Sequence, residues 1–478
     1  MEISDEIHAL CQRYQALAIS EDEQRLTIAL HGEIPAALVN ALRFATGKSV
    51  GIEQWPVARL EQAQNQRQSL ALVPPPENTE ERPPSLNDDS DTPVVQFINQ
   101  TLRSAIQRRA SDVHFEPYQQ RFRVRLRIDG VLQAIASPPF SLAARITARL
   151  KIMGQLDIAE RRLPQDGQLS VQLDKASFSM RISTLPTLHG EKVVLRILQT
   201  DRQELPLEQL GMSLEALGWY ANALCNPQGM ILVTGPTGSG KTVTLYSGLR
   251  ELNDAQSNLC SVEDPIEIPV FGINQTQINS KTDLDFARVL RALLRQDPDV
   301  IMIGEIRDKE TAEIAVKAAQ TGHLVLSTLH TNSTCETLTR LTQMGIPGYL
   351  LAACLKLVIA QRLVRRLCPH CRYPQVEILH FPATIWPEPL IPWRAAGCEH
   401  CFGGYYGRIG VYELLKITPE IQHALMQNAS VIQLADIAQQ QGQTTLLQAG
   451  LELVAQGITS LEELYRVVGV TALGESTP

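Results

Sequence analysis

MILVTGPTGSGKT, residues 230–242, is the stretch whose reading decides how this chain folds. Its first five residues, MILVT, form an apolar run of strand character, and a helical stretch follows the turn. The turn fits G-x-x-x-x-G-K-[ST], with Gly235, Gly240, Lys241 and Thr242 in the fixed places. Glycines let the backbone curl tightly enough for several amide N–H groups to point at one anion. Gly235, Pro236, Thr237, Gly238, Ser239 and Gly240 are therefore the candidate phosphate cradle. Lys241 is placed to reach the β- and γ-phosphates, and the Thr242 hydroxyl to ligate Mg²⁺. The following helix turns its positive end towards the same anion. A chance glycine-rich turn lacks this strand-before, helix-after context, so the pattern predicts a P-loop ATPase site.

Outward from the loop the period of the sequence stays the same. LCSVED (259–264), DVIMIGE (299–305) and LVLSTLH (324–330) read as further buried strands. FARVLRALLRQ (286–296) and KETAEIAVKAAQ (309–320) read as helices between them. Strands alternating with helices predict a mostly parallel sheet covered on both faces. The most apolar run, YLLAACLKLVIAQRLV (349–364), carries Lys356 and Arg362 and is too polar to span a bilayer; it is expected to be a buried helix.

The strand ends carry the acids. DPDVIMIGEIRD (297–308) places Glu305 at the carboxyl edge of the sheet, where a P-loop enzyme needs an acid to hold Mg²⁺ through water or to polarise the attacking water. SVEDPIE (261–267) brings Glu263, Asp264 and Glu267 together. Such a cluster is either a solvated acidic turn or a set gathered around a cation. His330 closes LVLSTLH at the same edge, as a hydrogen-bonding residue or as a γ-phosphate sensor.

Nine cysteines are an odd number for a disulfide framework. Cys11, Cys225, Cys260, Cys335 and Cys354 are scattered in apolar surroundings and are expected as small core residues. Cys368-Pro-His-Cys371 and Cys398-Glu-His-Cys401 instead form two CxxC knuckles, 26 residues apart. Two knuckles can wrap one tetrahedral Zn²⁺ with four thiolates. A redox pair needs only one CxxC, and a reducing compartment disfavours disulfides. With no open position, a Zn²⁺ held by Cys368, Cys371, Cys398 and Cys401 would be structural. His370 and His400 stand second to the thiols as ligands.

The 478 residues call for more than one domain, and a hydrophobic share of 44% is enough to build their cores. The formal charge of −8 argues against a coat for nucleic acid. The acidic start lacks the basic and apolar regions of a secretory signal. A cytoplasmic protein that meets membranes through partners is expected. Residues 1–72 read as a small α/β module. VPPPENTEERPPSLNDDSDTP (73–93) reads as a flexible linker. Residues 94–204 form a second module. In it Val94, Phe97, Ile98, Leu102, Ala105 and Ile106 fall on one helical stripe, and RFRVRLRIDG (121–130) alternates as a half-buried strand. Residues 205–415 hold the nucleotide domain, with the cysteine insertion at 366–403, and 416–478 read as a helical tail.

Four boxes in this order resemble the secretion-type ATPases of type II secretion and type IV pilus assembly, the PilB/GspE class. GPTGSGKT looks like that family's Walker A, SVEDPIE like its Asp box, DPDVIMIGEIRD like its Walker B and TGHLVLSTLHT (321–331) like its His box. SDVHFEP (111–117), RLRIDG (125–130), RRLPQDG (161–167) and RISTLPT (181–187) look like its second N-terminal domain. The resemblance implies a RecA-like P-loop domain joined to a PAS-like α+β domain. Glu267 would activate water, Glu305 would lie near the metal, Glu263 and Asp264 would support them, and His323 and His330 would pair. Arg181 and Arg196 would reach nucleotide from the PAS-like domain; read without the family they are surface arginines. Gln168 departs from the arginine that usually follows PQDG. A tetracysteine element marks the assembly-type members.

What the resemblance implies for function is an ATP-driven, Mg²⁺-dependent hexameric motor at the inner membrane. It would work on a platform protein there, with a cytoplasmic-domain adaptor as a further partner and no stable nucleic acid. A RecA-like DNA translocase or DNA-uptake ATPase is the alternative. In that case Arg121, Arg123, Arg125 and Arg127 would form a phosphate-contacting stripe rather than a solvated or interdomain face.

Overall fold

The computed structural model describes residues 16–22, 25–31, 38–39, 42, 48–56, 93–173, 176–198, 205–279 and 282–469. The chain divides into two compact units, Met1–Pro84 and Ser85–Pro478. In the first, β1 (Leu17–Glu21) runs antiparallel to β2 (Arg25–Leu30), which runs parallel to β3 (Ser49–Gln54). Leu26, Ile28 and Leu30 bury one face of this small sheet against Leu38 and Leu42. The proline-rich segment expected as a linker lies outside the described residues, except for Pro93.

Pro93 opens α1 (Pro93–Gln107), whose expected apolar stripe is the face that packs. β4 (Asp112–Pro117), β5 (Phe122–Ile128), β6 (Val131–Ala136), α2 (Ala143–Met153), β7 (Gln165–Leu173), β8 (Ala176–Thr187) and β9 (Gly190–Leu198) follow. Their antiparallel sheet has the order β6-β5-β4-β9-β8-β7. Phe122, Val124, Leu126 and Ile128 point into the core under α1 and α2, so Arg123, Arg125 and Arg127 stand on the opposite face.

The nucleotide domain opens with α3 (Leu214–Leu224), β10 (Gly229–Thr234), α4 (Lys241–Leu252), β11 (Leu259–Glu263), β12 (Ile273–Gln277), α5 (Phe286–Leu293) and β13 (Val300–Ile303). It continues through α6 (Lys309–Gln320), β14 (Leu324–Leu329), α7 (Thr334–Gln343), α8 (Gly348–Cys354) and β15 (Leu355–Leu367). A short hairpin, β16 (Arg372–Pro374) and β17 (Trp393–Ala395), precedes β18 (Tyr405–Lys416). Four helices follow: α9 (Pro419–Met426), α10 (Val431–Gln440), α11 (Leu446–Ala455) and α12 (Leu461–Val468).

The main sheet has the order β12-β11-β13-β14-β10-β15-β18, parallel except for the β15–β18 pair. β10, β11, β13 and β14 are buried at every position. Alternate residues of β10 serve two cores: Met230 and Leu232 face α5, α6 and α7, and Ile231 and Val233 face α3 and α4. Each such side chain contributes roughly 2 kcal/mol of apolar burial.

One expectation is corrected here. Residues 349–364 are not a single helix: α8 ends at Cys354 and the rest is β15, a long strand paired on both sides. A strand buried on both faces shows no alternation, so an apolar run alone does not separate it from a helix. Among the scattered cysteines, Cys260, Cys335 and Cys354 are buried, Cys225 is exposed instead, and Cys11 lies outside the described residues.

The insertion borrows its core. Leu390, with Leu379, Phe381, Ile385 and Trp386, packs on Leu447, Leu451, Val454 and Leu464 of α11 and α12. α12 is fastened to β15 by Glu463, which accepts from Arg365 Nε at 3.0 Å and Nη2 at 2.7 Å, and from Arg466 Nε at 2.8 Å. Among the described residues no helix is long and apolar enough to cross a membrane.

Candidate active site and metal centre

The loop at 235–240 leaves β10 and closes on the first turn of α4. Gly235 has φ of 148° and Gly240 φ of 91°, backbone that L side chains rarely adopt. A Cβ on Gly235 would sit 2.5 Å from Gln361 O, and one on Gly240 2.8 Å from Gln361 Nε2. The strand beside the loop therefore requires glycine at both places. Lys241 is 8% exposed, and its Nζ donates to Gly235 O at 2.8 Å and Pro236 O at 3.2 Å. Burial pushes its ammonium down to about 8, with Glu305 pulling the other way. Ser239 Oγ is buried with no hydrogen-bond partner. A buried ammonium, an unpartnered hydroxyl and a loop backbone with no room for a Cβ at Gly235 or Gly240 fit a phosphate group.

Three of the expected acids and histidines meet around one arginine. Arg307 pairs with Glu305 through Nη2 and with Asp264 Oδ2 at 3.7 Å through Nη1, and His330 Nε2 lies 3.4 Å from Glu305 Oε2. Glu267 is exposed, within electrostatic reach of Lys241 and Tyr246. Glu263 is 3% exposed and caged: its carboxylate accepts from the Tyr246 hydroxyl, from Ser261 Oγ at 2.6 Å and from Gln275 Nε2 at 3.1 Å. Burial, reinforced by Glu263, pushes the Tyr246 phenol well above its usual range.

The two box histidines are not brought together. His330 follows the carboxyl end of β14, whereas His323 precedes the strand and accepts the Gly229 amide on its carbonyl at 3.1 Å, at the opposite edge of the sheet. Six residues of extended chain lie between them.

Arg181 and Arg196 are cross-strand partners on β8 and β9. Arg196 Nε donates to Asp112 Oδ1 at 2.9 Å, and neither arginine has a hydrogen bond or ion pair with the loop in this chain. Gln168 sits directly across from Arg181 on β7, so an arginine there would set two like charges side by side. The stripe on β5 is largely neutralised. Arg125 grips Glu116 with two contacts of 2.8 Å, Arg123 reaches Glu116 at 3.2 Å and Arg127 reaches Asp112 at 3.5 Å. Arg121 is exposed at the start of this stretch.

Sequence reasoning missed the residues that back the loop. Gln361 Oε1 accepts from Thr244 Oγ1 at 2.7 Å, one turn along α4 from Lys241. Thr331 Oγ1 meets Thr234 Oγ1 at 2.7 Å, joining the ends of β14 and β10. Arg362, 7% exposed, donates to Asn332 O at 2.9 Å. For Gln361 and Arg362 the signal lay in AQRLV, which resembles no motif until β15 is known to flank β10.

The thiols of Cys368, Cys371, Cys398 and Cys401 all lie within 4.8 Å of one another, a set that can hold a metal ion. Cys368–Cys398 and Cys398–Cys401 are 3.7 Å apart and Cys371–Cys401 3.8 Å. Four ligands on tetrahedral arms of about 2.3 Å stand about 3.8 Å from each other, so the spacing fits four-thiolate coordination. The rings of His370 and His400 meet at a tilt of 45°, with centroids 4.6 Å apart.

The strand order, the glycine loop and the acids at the carboxyl edge define a P-loop ATPase of RecA-like fold. More narrowly, the chain belongs to the family described as type II/IV secretion system protein, which matches residues 87–466. It is 52% identical to the protein transport protein HofB homolog of Escherichia coli K12, over 97% of this chain and 98% of that one. It is also 52% identical to the type IV pilus assembly ATPase PilB of Pseudomonas aeruginosa, over 79% of this chain and 68% of that one. Among solved structures, the pilus retraction motor PilT with bound ADP is similar at 27% identity and a TM-score of 0.51, over 76% of this chain and 95% of that one.

Proposed function

We propose that this chain is the ATP-hydrolysing motor of a ring, expected as a hexamer, that powers type IV pilus or pseudopilus assembly or type II secretion at the cytoplasmic side of the inner membrane. One observation carries the reading: the P-loop and the Glu305–Arg307–His330 cluster share one sheet edge, in a chain 52% identical over nearly its whole length to a protein transport protein. Lys241 and the loop amides bind the phosphates, and Thr242 is the side chain that would hold Mg²⁺. A Mg²⁺ there neutralises charge on the phosphate oxygens. Glu267, exposed near Lys241, takes the proton of the attacking water. Glu305 and His330 orient the metal side, while Asp264 positions Arg307. Glu263 acts from its cage by fixing the Tyr246 side of α4. Arg181 and Arg196 complete the pocket of a neighbouring subunit, where a guanidinium would offset charge developing on the γ-phosphoryl group. The four cysteines hold a structural Zn²⁺.

The partners that suit this machine are a membrane platform protein and a cytoplasmic-domain adaptor, met by residues 1–72. A DNA translocase is disfavoured, because the β5 arginines are spent on Glu116 and Asp112. The test is phosphate release by the full chain across size-separated oligomers, with acidic phospholipid, with the platform's cytoplasmic domain, or with DNA. Turnover confined to a ring and raised by membrane or platform supports the reading. Turnover raised only by DNA overturns it.

A further inference from the structure

Beside the P-loop stands a buried cation that no carboxylate among the described residues touches. Arg362 lies on β15 two residues beyond Ala360, the partner of Thr234 at the end of β10, and is 7% exposed. Its guanidinium donates only to neutral oxygens: Gln361 O at 3.0 Å, Asn332 O at 2.9 Å and Asn332 Oδ1 at 3.3 Å. Among the described residues no carboxylate is in ion-pair contact with it. The acids that act on it through space are engaged elsewhere. Glu413 accepts from Thr334 Oγ1 at 2.6 Å and from the Thr334 amide at 2.9 Å, and Glu336 accepts from the Asn332 amide at 2.8 Å.

Burying a guanidinium without an anion is costly, and proteins ordinarily pair it. The same strand shows the ordinary solution three residues on, where Arg365 is matched to the buried carboxylate of Glu463 at 2.7 Å. What distinguishes Arg362 is its neighbour. Its Nη1 lies 3.1 Å from where a Cβ of Gly235 would be, and Lys241 Nζ holds the Gly235 carbonyl at 2.8 Å. An ammonium and a guanidinium thus flank the first glycine of the loop. Burial lowers the proton affinity of both, and the Arg362 charge lowers that of Lys241 further. A polyanion at this place relieves both penalties.

We infer that Arg362 is a second phosphate-answering cation of the nucleotide site, and that it ties the occupancy of the loop by a nucleoside triphosphate to the turn at His330–Asn332. The guanidinium has five N–H donors, of which the described contacts use three. The remaining two serve phosphate oxygens without releasing Asn332. Asn332 is two residues from His330, whose imidazole faces Glu305, and Thr331 is fastened to Thr234 at the end of β10. The guanidinium therefore links the anion to the acid edge through one short turn. Its charge is held for a ligand that comes and goes, which is why the fold supplies no fixed carboxylate.

This inference rests on the ATPase reading above, and the experiment separates the two. Full-length Arg362→Gln and Arg362→Lys proteins are compared with the parent for ATP and ADP affinity in the presence of Mg²⁺, for kcat and KM, and for melting temperature with and without nucleotide. In Arg362→Gln, ATP binding is expected to weaken roughly tenfold to a hundredfold while ADP binding changes far less, the size of a lost charged hydrogen bond. Its nucleotide-free melting temperature stays level or rises, because a buried charge has gone, and the ATP-induced rise shrinks. Arg362→Lys keeps the charge and recovers most of the ATP preference. Unchanged ATP-over-ADP preference in both variants overturns the inference, as does a fall in nucleotide-free stability with ATP affinity intact, which marks a structural arginine. A parent protein that binds no ATP overturns the ATPase reading, and this inference with it.

Discussion

Two places in this molecule concentrate charge of one sign, and they treat it differently. On the outer face of the six-stranded sheet, Arg123, Arg125 and Lys192 converge on Glu116, while Arg127 and Arg196 converge on Asp112. At the edge of the seven-stranded sheet, Lys241 and Arg362 are buried against backbone carbonyls, with no carboxylate of the described residues in contact. The first arrangement is self-contained and fixes the strands. The second is energetically incomplete, and in the proposed reading it is completed by phosphate. The thiols at 368, 371, 398 and 401 repeat the lesson with the sign reversed: four potential anions gathered within 4.8 Å call for a cation.

The sharpest way to break this contrast is Lys241→Ala. It removes an unanswered cation, so phosphate release should fall at least a hundredfold, a loss typical of a charge aimed at the reacting group, while the nucleotide-free melting temperature holds. Activity near the parental level would show that the loop is not the catalytic site. Next in size is Cys371→Ser, or exhaustive chelation. Either should release one equivalent of metal by elemental analysis and lower the stability of the 366–403 region by several kcal/mol, read by hydrogen exchange.

Glu116→Gln attacks the self-contained side. Burial works against ionisation of Glu116, but hydrogen bonds from Arg125 and Lys192 outweigh it and hold the carboxyl at about 2. A folded value below the unfolded one gives stability that is present above pH of about 4.5 and is lost as pH falls towards 2. The variant should lose roughly 2–4 kcal/mol at pH 7 in denaturant titrations, and its stability should decline less steeply over that acid window than the parent's. The smallest effect belongs to Arg127→Gln. It leaves Arg196 on Asp112 and removes a half-exposed pair at 3.5 Å, so stability should change by less than about 1 kcal/mol. A loss as large as that of Glu116→Gln would mean that the outer face is one cooperative network rather than separable pairs.

Much of the nucleotide site was readable because its chemistry is local in sequence. The loop needs its glycines and lysine at fixed offsets, and strand ends put Glu305 and His330 on one edge by periodicity alone. What was not readable depends on neighbours distant in the chain. β15 was mistaken for a helix because a doubly buried strand has no alternation. Arg362 was therefore invisible, since its importance comes from lying beside β10. His323 and His330 share a motif but occupy opposite ends of β14. The core of the cysteine insertion, Leu390 against Leu451 and Leu464, spans sixty residues or more and leaves no periodic trace.

That shared core bears on how such a chain can vary over descent. Deleting residues 369–400 would strip the cover from Leu447, Leu451 and Val454, and cutting away α12 would leave Glu463's partner Arg365 bereft on β15. Knuckles and tail are thus a joint inheritance. A relative lacking the cysteines must cap its last helices by other means, and grafting the insertion onto it succeeds only if the final helices travel along.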